Sequence, residues 1–234
     1  MTRFGYTLMC EQSGPRELAA HAAHAERAGF DFEVISDHFS PWLGSQGHAP
    51  NAWVTLGAIA HITERVELMS YVTCPTMRYH PVVVAQQATT VGLLGEGRFT
   101  LGVGAGENLN EHVVGGGWPP VNRSAGTRTP SRDPDPEVAI ARAHEQFRWF
   151  GGGWKVNAEL PGPAGFSAAS RFVTPDDVAD AIPCGPEADA HVEAARSLVD
   201  AGFTDVAVVQ IGDASQSDFL DWAEREFLPA FRSR

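Results

Sequence analysis

Positive charge is scarce in this sequence. Its 234 residues carry 17 Lys and Arg against 29 Asp and Glu, a net charge of −12. Such a chain repels phosphate backbones, so no nucleic-acid partner is expected. Long apolar runs are missing too. None approaches the roughly 20 residues that a membrane span needs, so no membrane association is expected. Residues 1–12 hold one Arg and a short apolar stretch, unlike a secretory signal. Cysteine is sparse, and Cys10, Cys74 and Cys184 stand far apart with no CxxC pair. Reduced thiols in a cytoplasmic protein are the expectation. The sequence has no GxSxG elbow and no Walker loop. Its nine histidines form no metal set: His21 and His24 are three apart without zinc-protease spacing, and the others are scattered.

What remains is globular. Hydrophobic residues make up 43% and charged residues 20%, which suits one folded domain of this length and excludes wholesale disorder. The first hundred residues alternate strand and helix signals. Residues 4–9, 32–36, 66–73 and 99–103 read as strands. Helices are expected over 15–28, opened by Pro15 and stopped by Gly29, and over 52–62 and 81–94. The pattern returns as a helix over 187–200, a strand over 205–211 and a closing helix over 217–231. Such alternation implies parallel βα units. The turn Ala-Gly-Phe occurs twice before a strand, at residues 28–30 and 201–203, as repeated βα architecture requires. The middle is irregular, with one helix over 136–149 and a Gly/Pro/Ala loop to about residue 169. A closed (β/α)8 barrel needs eight strands and about 250 residues. About five strands pass the pattern test, so the fold is α/β, either an open sheet or a barrel with missing units.

Chemistry-bearing residues gather just after the strands. Asp37, His38 and Trp42 follow the second, where a parallel α/β fold places its active site. An acid, an imidazole and an indole there suit a general base, its orienting partner and an apolar wall. The plain alternative is a capping Asp beside a packed His and Trp. Gly102, Gly104 and Gly106 precede Glu107 after the fourth strand. Alternating glycines admit a cofactor to the backbone, or simply tight packing, and the dinucleotide fingerprint is not met. Glu11 and Gln12 end the first strand, and Tyr71, Val72 and Cys74 end the third.

At these strand ends the sequence resembles the coenzyme F420-dependent branch of the luciferase-like flavin barrels, in particular the F420-dependent glucose-6-phosphate dehydrogenase-like group. The matching text is GYTLMCEQ, VISDHFSPW, TCPTMRYHPVVVAQ and FTLGVGAGENLNE, resuming at DPDPE. The resemblance implies a (β/α)8 TIM-barrel-derived fold, and a hydride passed between a small hydroxylated substrate and the deazaflavin. It implies His38 as the base, Trp42 beside the reacting centre, Glu107 as the acid, and Glu11 as the carboxylate near His38. Asp37 and Asn110 match cofactor contacts, and Tyr71-Val72 matches a non-proline cis peptide under the ring. Gly104 and Gly106 belong to the same cofactor-binding stretch.

Three barrel strands that the family carries have no counterpart here, leaving about five of eight. Residues 1–120 supply the first four βα units, 121–132 an irregular junction, and 133–234 the C-terminal helices and the last βα unit, all in one domain. The family's Gly-rich phosphate loop and its sugar-phosphate motif are not matched, so glucose 6-phosphate is not assigned. Two exposed sheet edges are templates for another chain, which points to a homodimer. Two other readings stand beside this one: an FMN-dependent monooxygenase of the same superfamily, and a truncated, non-catalytic remnant.

Overall fold

A computed structural model describes residues 2–75, 77–115 and 130–232; the stretch 121–129 of the expected junction lies outside them. In chain order the elements are β1 (Arg3–Leu8), α1 (Pro15–Ala28), β2 (Phe32–Ile35), α2 (Ala52–Ile62), β3 (Glu67–Ser70), α3 (Pro81–Leu94), β4 (Phe99–Thr100) and α4 (Asn108–Glu111). They continue as α5 (Pro136–Phe147), α6 (Trp154–Asn157), α7 (Pro163–Ala169), α8 (Pro175–Ala181), α9 (Ala188–Asp200), β5 (Asp205–Val208), α10 (Gln216–Trp222) and α11 (Pro229–Arg232). Among the described residues the five strands form one parallel sheet in the order β4-β3-β2-β1-β5. The incomplete barrel expected from the sequence is therefore present, with β4 and β5 at its edges. Among these residues no helix is long and apolar enough to cross a membrane.

Local chemistry explains the boundaries. Pro15 sits in the first turn of α1, where its missing N–H costs nothing. Gly29 closes the helix at φ 93°, and the N–H groups of Gly29 and Phe30 both reach the Ala25 carbonyl. Phe4, Tyr6 and Leu8 alternate along β1 and pack with Leu18, Leu56, Ile59 and Trp222 in the main core between sheet and helices. Burial of each such side chain contributes about 1.5–3 kcal/mol. Gly5 faces the other way; a Cβ there would lie 2.1 Å from the Phe32 ring, so only glycine lets that ring cross β1.

Some expectations need correction. The third and fourth strands are shorter than their apolar runs. Ser70 Oγ donates to the Gly102 carbonyl and accepts from the Gly102 N–H, so a side chain takes over from the ladder. Pairing resumes only at the Thr73–Val103 bridge. The stretch read as a loop to residue 169 contains α6 and α7. The helix expected over 187–200 starts at Ala188. The closing helix is broken: α10 passes into a π-helical turn, Ala223–Phe227, before α11. The second apolar cluster joins Ala143, Phe147, Val173, Val178 and Ile182 to Val209 and Ile211. It packs α5 and α8 against the residues that follow β5. Several histidines have structural partners: His24 meets Asp221 at 2.8 Å, His144 and His191 meet the Val173 and Gly185 carbonyls, and His80 caps α3.

Candidate active site

The carboxyl ends of β1, β2 and β4 bring Glu11, His38 and Glu107 together. His38 Nδ1 lies 2.6 Å from Glu11 Oε1, and its Nε2 lies 3.3 Å from Glu107 Oε1. The Trp42 ring meets the imidazole edge-on at 4.9 Å. All four residues expected at the reacting centre therefore share one cluster. Glu11 is fully buried, and its second oxygen accepts from Ser36 Oγ at 2.8 Å. Ser36 Oγ itself accepts from the Cys10 N–H, which fixes its rotor.

The electrostatics follow from this geometry. Burial disfavours the His38 cation, but the charge and hydrogen bond of Glu11 outweigh it, helped by Glu107 and Asp37, and the imidazole is raised to about 9. Burial works on Glu107 in the opposite sense for an acid: its carboxyl rises to about 7, with Glu11 and Glu111 adding repulsion while His38 and Asn110 oppose the rise. Burial also pushes Glu11 up, but His38 wins, and Glu11 stays below its ordinary range. The cluster thus has a pinned carboxylate, an imidazole raised in basicity and a second carboxyl raised toward neutrality. Glu107 Oε2 is buried without a protein partner.

Asp37 and Asn110 turn inward. Asp37 Oδ2 accepts from Thr73 Oγ1 at 2.8 Å, and Oδ1 from Tyr79 Oη at 3.1 Å and Arg78 Nη2 at 3.2 Å. Arg78 also donates to the Asp37 carbonyl and lies 3.8 Å from Glu111. Asn110 Oδ1 accepts from the Phe39 N–H at 2.7 Å, and its Nδ2 donates to Glu107 Oε1 at 2.7 Å. Tyr71-Val72 is a non-proline cis peptide. A Cβ on Gly104 would lie 2.5 Å from Val72 Cγ2, so that glycine lets the Val72 side chain pack. Gly106 adopts φ 85°, a conformation that favours glycine, just before Glu107.

A model of the luciferase-like monooxygenase family matches residues 1–129. The chain belongs to that family. Its first half is 53% identical over 119 residues to a protein of Beutenbergia cavernae named F420-dependent glucose-6-phosphate dehydrogenase, covering 51% of this chain and 35% of that one. A protein of the same name from Microbacterium testaceum is 50% identical over 117 residues, covering 50% of this chain and 35% of that one. The matched stretch spans about a third of the length of these curated relatives. Among solved structures, an F420-dependent secondary alcohol dehydrogenase with an F420-acetone adduct aligns with TM-score 0.83 at 20% identity, covering 96% of this chain and 98% of that chain. The coenzyme F420-dependent tetrahydromethanopterin reductase of Methanopyrus kandleri aligns at 0.73 and 17% identity, covering 98% and 99%. At these identities the two likenesses establish the fold.

The sequence did not single out Ser36, Thr73, Arg78, Tyr79 or Glu111, which buttress the cluster. Nor did it single out Trp149 and Phe166, which pack on Trp42 at 4.3 and 5.0 Å. Arg78 and Tyr79 do fall within the third quoted motif, which was the available signal.

Proposed function

We propose that this chain is a coenzyme F420-dependent oxidoreductase acting on a small hydroxylated substrate. The observation that carries the reading is the placement of one imidazole between a pinned carboxylate, Glu11, and a second carboxyl, Glu107, whose Oε2 has no protein partner. Oxidising an alcohol removes a proton from oxygen as hydride leaves carbon, so one base and one separate acid suffice. His38 Nε2 takes the hydroxyl proton, Glu11 stabilises the resulting cation, and Glu107 Oε2 holds the proton that balances the reaction. The deazaflavin, when bound, supplies the hydride acceptor. The residues fit that group: Trp42 packs on His38, Val72 packs on Gly104, and the buried unpartnered acid lies in the same cluster. Trp42, Tyr71, Val72, Gly104 and Gly106 would hold the ring. Asp37 and Asn110 act behind it, through the residues they fix. The names of the relatives support the same cofactor.

The first test mixes purified protein separately with F420 and FMN, then follows reduction of each by a panel of alcohols. Reduction of F420 that disappears in His38→Ala is expected; turnover with FMN and oxygen alone would favour the monooxygenase alternative. A protein that binds neither cofactor would favour the remnant.

Self-association is part of the proposal. Helices α2 and α3 contain no Asp, Glu, Lys or Arg, and they expose Val54, Val82 and Leu93. In a chain of net charge −12, an uncharged apolar face is where two copies can approach. Leu101 and Val103 extend apolar exposure to the β4 edge. A monomeric mass at micromolar concentration would contradict it. The three thiols are free, which suits a reducing, cytoplasmic compartment.

A further inference from the structure

We propose that Asn110 is a positioning residue which decides which oxygen of Glu107 carries the transferable proton and ties that acid to the loop bearing His38. The inference rests on the oxidoreductase reading for its purpose, but its geometry stands on the chain alone. Asn110 is 4% exposed. The orientation of its amide is fixed, because the backbone N–H of Phe39 is a donor only and approaches Oδ1 at 2.7 Å, with the Ser40 N–H behind it at 3.4 Å. Nδ2 must therefore be the atom that meets Glu107 Oε1 at 2.7 Å. The same oxygen faces His38 Nε2 at 3.3 Å. In a protonated carboxyl the carbonyl oxygen is the better acceptor, so the amide N–H makes Oε1 the carbonyl oxygen. The acidic proton is thereby assigned to Oε2, the oxygen with no partner in the protein.

The amide does a second thing. Phe39 and Ser40 directly follow His38, so Asn110 joins the backbone that carries the base to the side chain of the acid. One residue on the short helix α4 holds the distance between them. Its effect on Glu107 adds to those of the other groups that face that carboxyl: His38 from the β2 loop, Glu11 after β1, and Glu111 on α4. Cys74, after β3, also senses Glu107. None of these fixes the orientation of the Glu107 carboxyl by a hydrogen bond from a neutral donor.

The experiment is a carboxyl-carbon NMR titration of the free protein, with Glu107 assigned by its loss in Glu107→Gln. Asn110→Ala should raise the Glu107 midpoint by about one pH unit, because a donor to the ionised form is gone. It should also lower kcat by roughly 10–100-fold. Asn110→Asp keeps the shape, guards against loss of fold, and should raise the midpoint further by placing a carboxylate against Oε1. An unmoved Glu107 midpoint in Asn110→Asp overturns the proposal. So does a tenfold loss of F420 affinity with the midpoint unmoved, which would make Asn110 a cofactor contact instead. The titration needs neither cofactor nor substrate. A moved midpoint in a protein inert toward F420 would sink the oxidoreductase reading while supporting this one.

Discussion

Glu11 Oε1 and His38 Nδ1 are 2.6 Å apart, and the carboxylate is completely enclosed. That contact makes His38 a strong base and keeps it protonated at neutral pH, at about 9, whereas Glu107 titrates near 7. The reaction needs the reverse arrangement, a neutral imidazole beside a protonated acid. Because His38 holds the proton more tightly than Glu107, the reactive form is the minor one of the singly protonated pair. A bell-shaped kcat/KM profile is therefore expected, with apparent limbs near 7 and 9 that belong to the pair. Glu11→Gln should bring the upper limb down toward the ordinary histidine range. An upper limb that stays near 9 in Glu11→Gln would dissociate His38 from the profile.

The same shift has a consequence for stability. The folded-state value of His38 lies above its ordinary 6.5, so its contribution is complete below about pH 6.5 and is lost as pH rises through about 9. Glu33 adds to that loss. It is 1% exposed, both of its oxygens lack a partner, and burial, with Glu26 adding repulsion, raises its carboxyl well above the usual range. A raised carboxyl stabilises the fold in full only below its unfolded value, and the benefit fades as pH rises. Glu33→Gln should therefore be more stable than the parent at pH 8, by about 1–3 kcal/mol, and little different near pH 4. Urea midpoints at the two pH values check this; equal midpoints at pH 8 would mean Glu33 finds a partner in solution.

The legible part of this molecule lies where local rules act. Pro15 and Gly29 bracket α1, and 52–62 is α2 to the residue, because caps and apolar spacing are encoded within one element. Glu11, His38 and Glu107 could be chosen because each directly follows a strand, and parallel strands bring their ends together. Neighbours drawn from distant chain are another matter. The Arg78–Asp37 clamp joins residues 41 apart, and nothing in either residue's own surroundings announces the other. Helices α7 and α8 have seven residues and one buried side chain each, Phe166 and Val178, too little for a helical period to show. The Thr174–Asp177 capping box that starts α8 was there to be read. Ser70 took over the ladder from β3 and β4 through its hydroxyl, an event that apolar patterning does not encode.

Phe166 should couple the C-terminal half to the site. It is 1% exposed, and its ring stands edge-on to Trp42 at 5.0 Å, while Trp149 stacks on the same indole at 4.3 Å and 11°. Phe166→Ala should cost about 3–5 kcal/mol, the range for removing a buried aromatic. Trp149→Phe should cost less but abolish the circular-dichroism couplet of the paired indoles. Turnover in both should fall with Trp42 less firmly held. A full-strength couplet in Trp149→Phe would mean the two indoles are not stacked in solution.

Cofactor affinity is expected to be low and insensitive to the cofactor's tail. The resemblance assigns the family's phosphate-holding glycine loop to strand units this chain does not carry. Arg78, the cation that contacts Asp37 behind the cluster, is engaged by Asp37 and Glu111. A net charge of −12 offers no general attraction for a phosphodiester. Losing two or three charge-assisted hydrogen bonds, at about 1.5–3 kcal/mol each, weakens binding by several orders of magnitude. Fluorescence titration should therefore give a Kd above the micromolar range for F420, and a similar one for a deazaflavin lacking the phosphate tail. Sub-micromolar binding of F420, or a hundredfold preference for the tailed form, would show that the chain rebuilds a phosphate site from other residues.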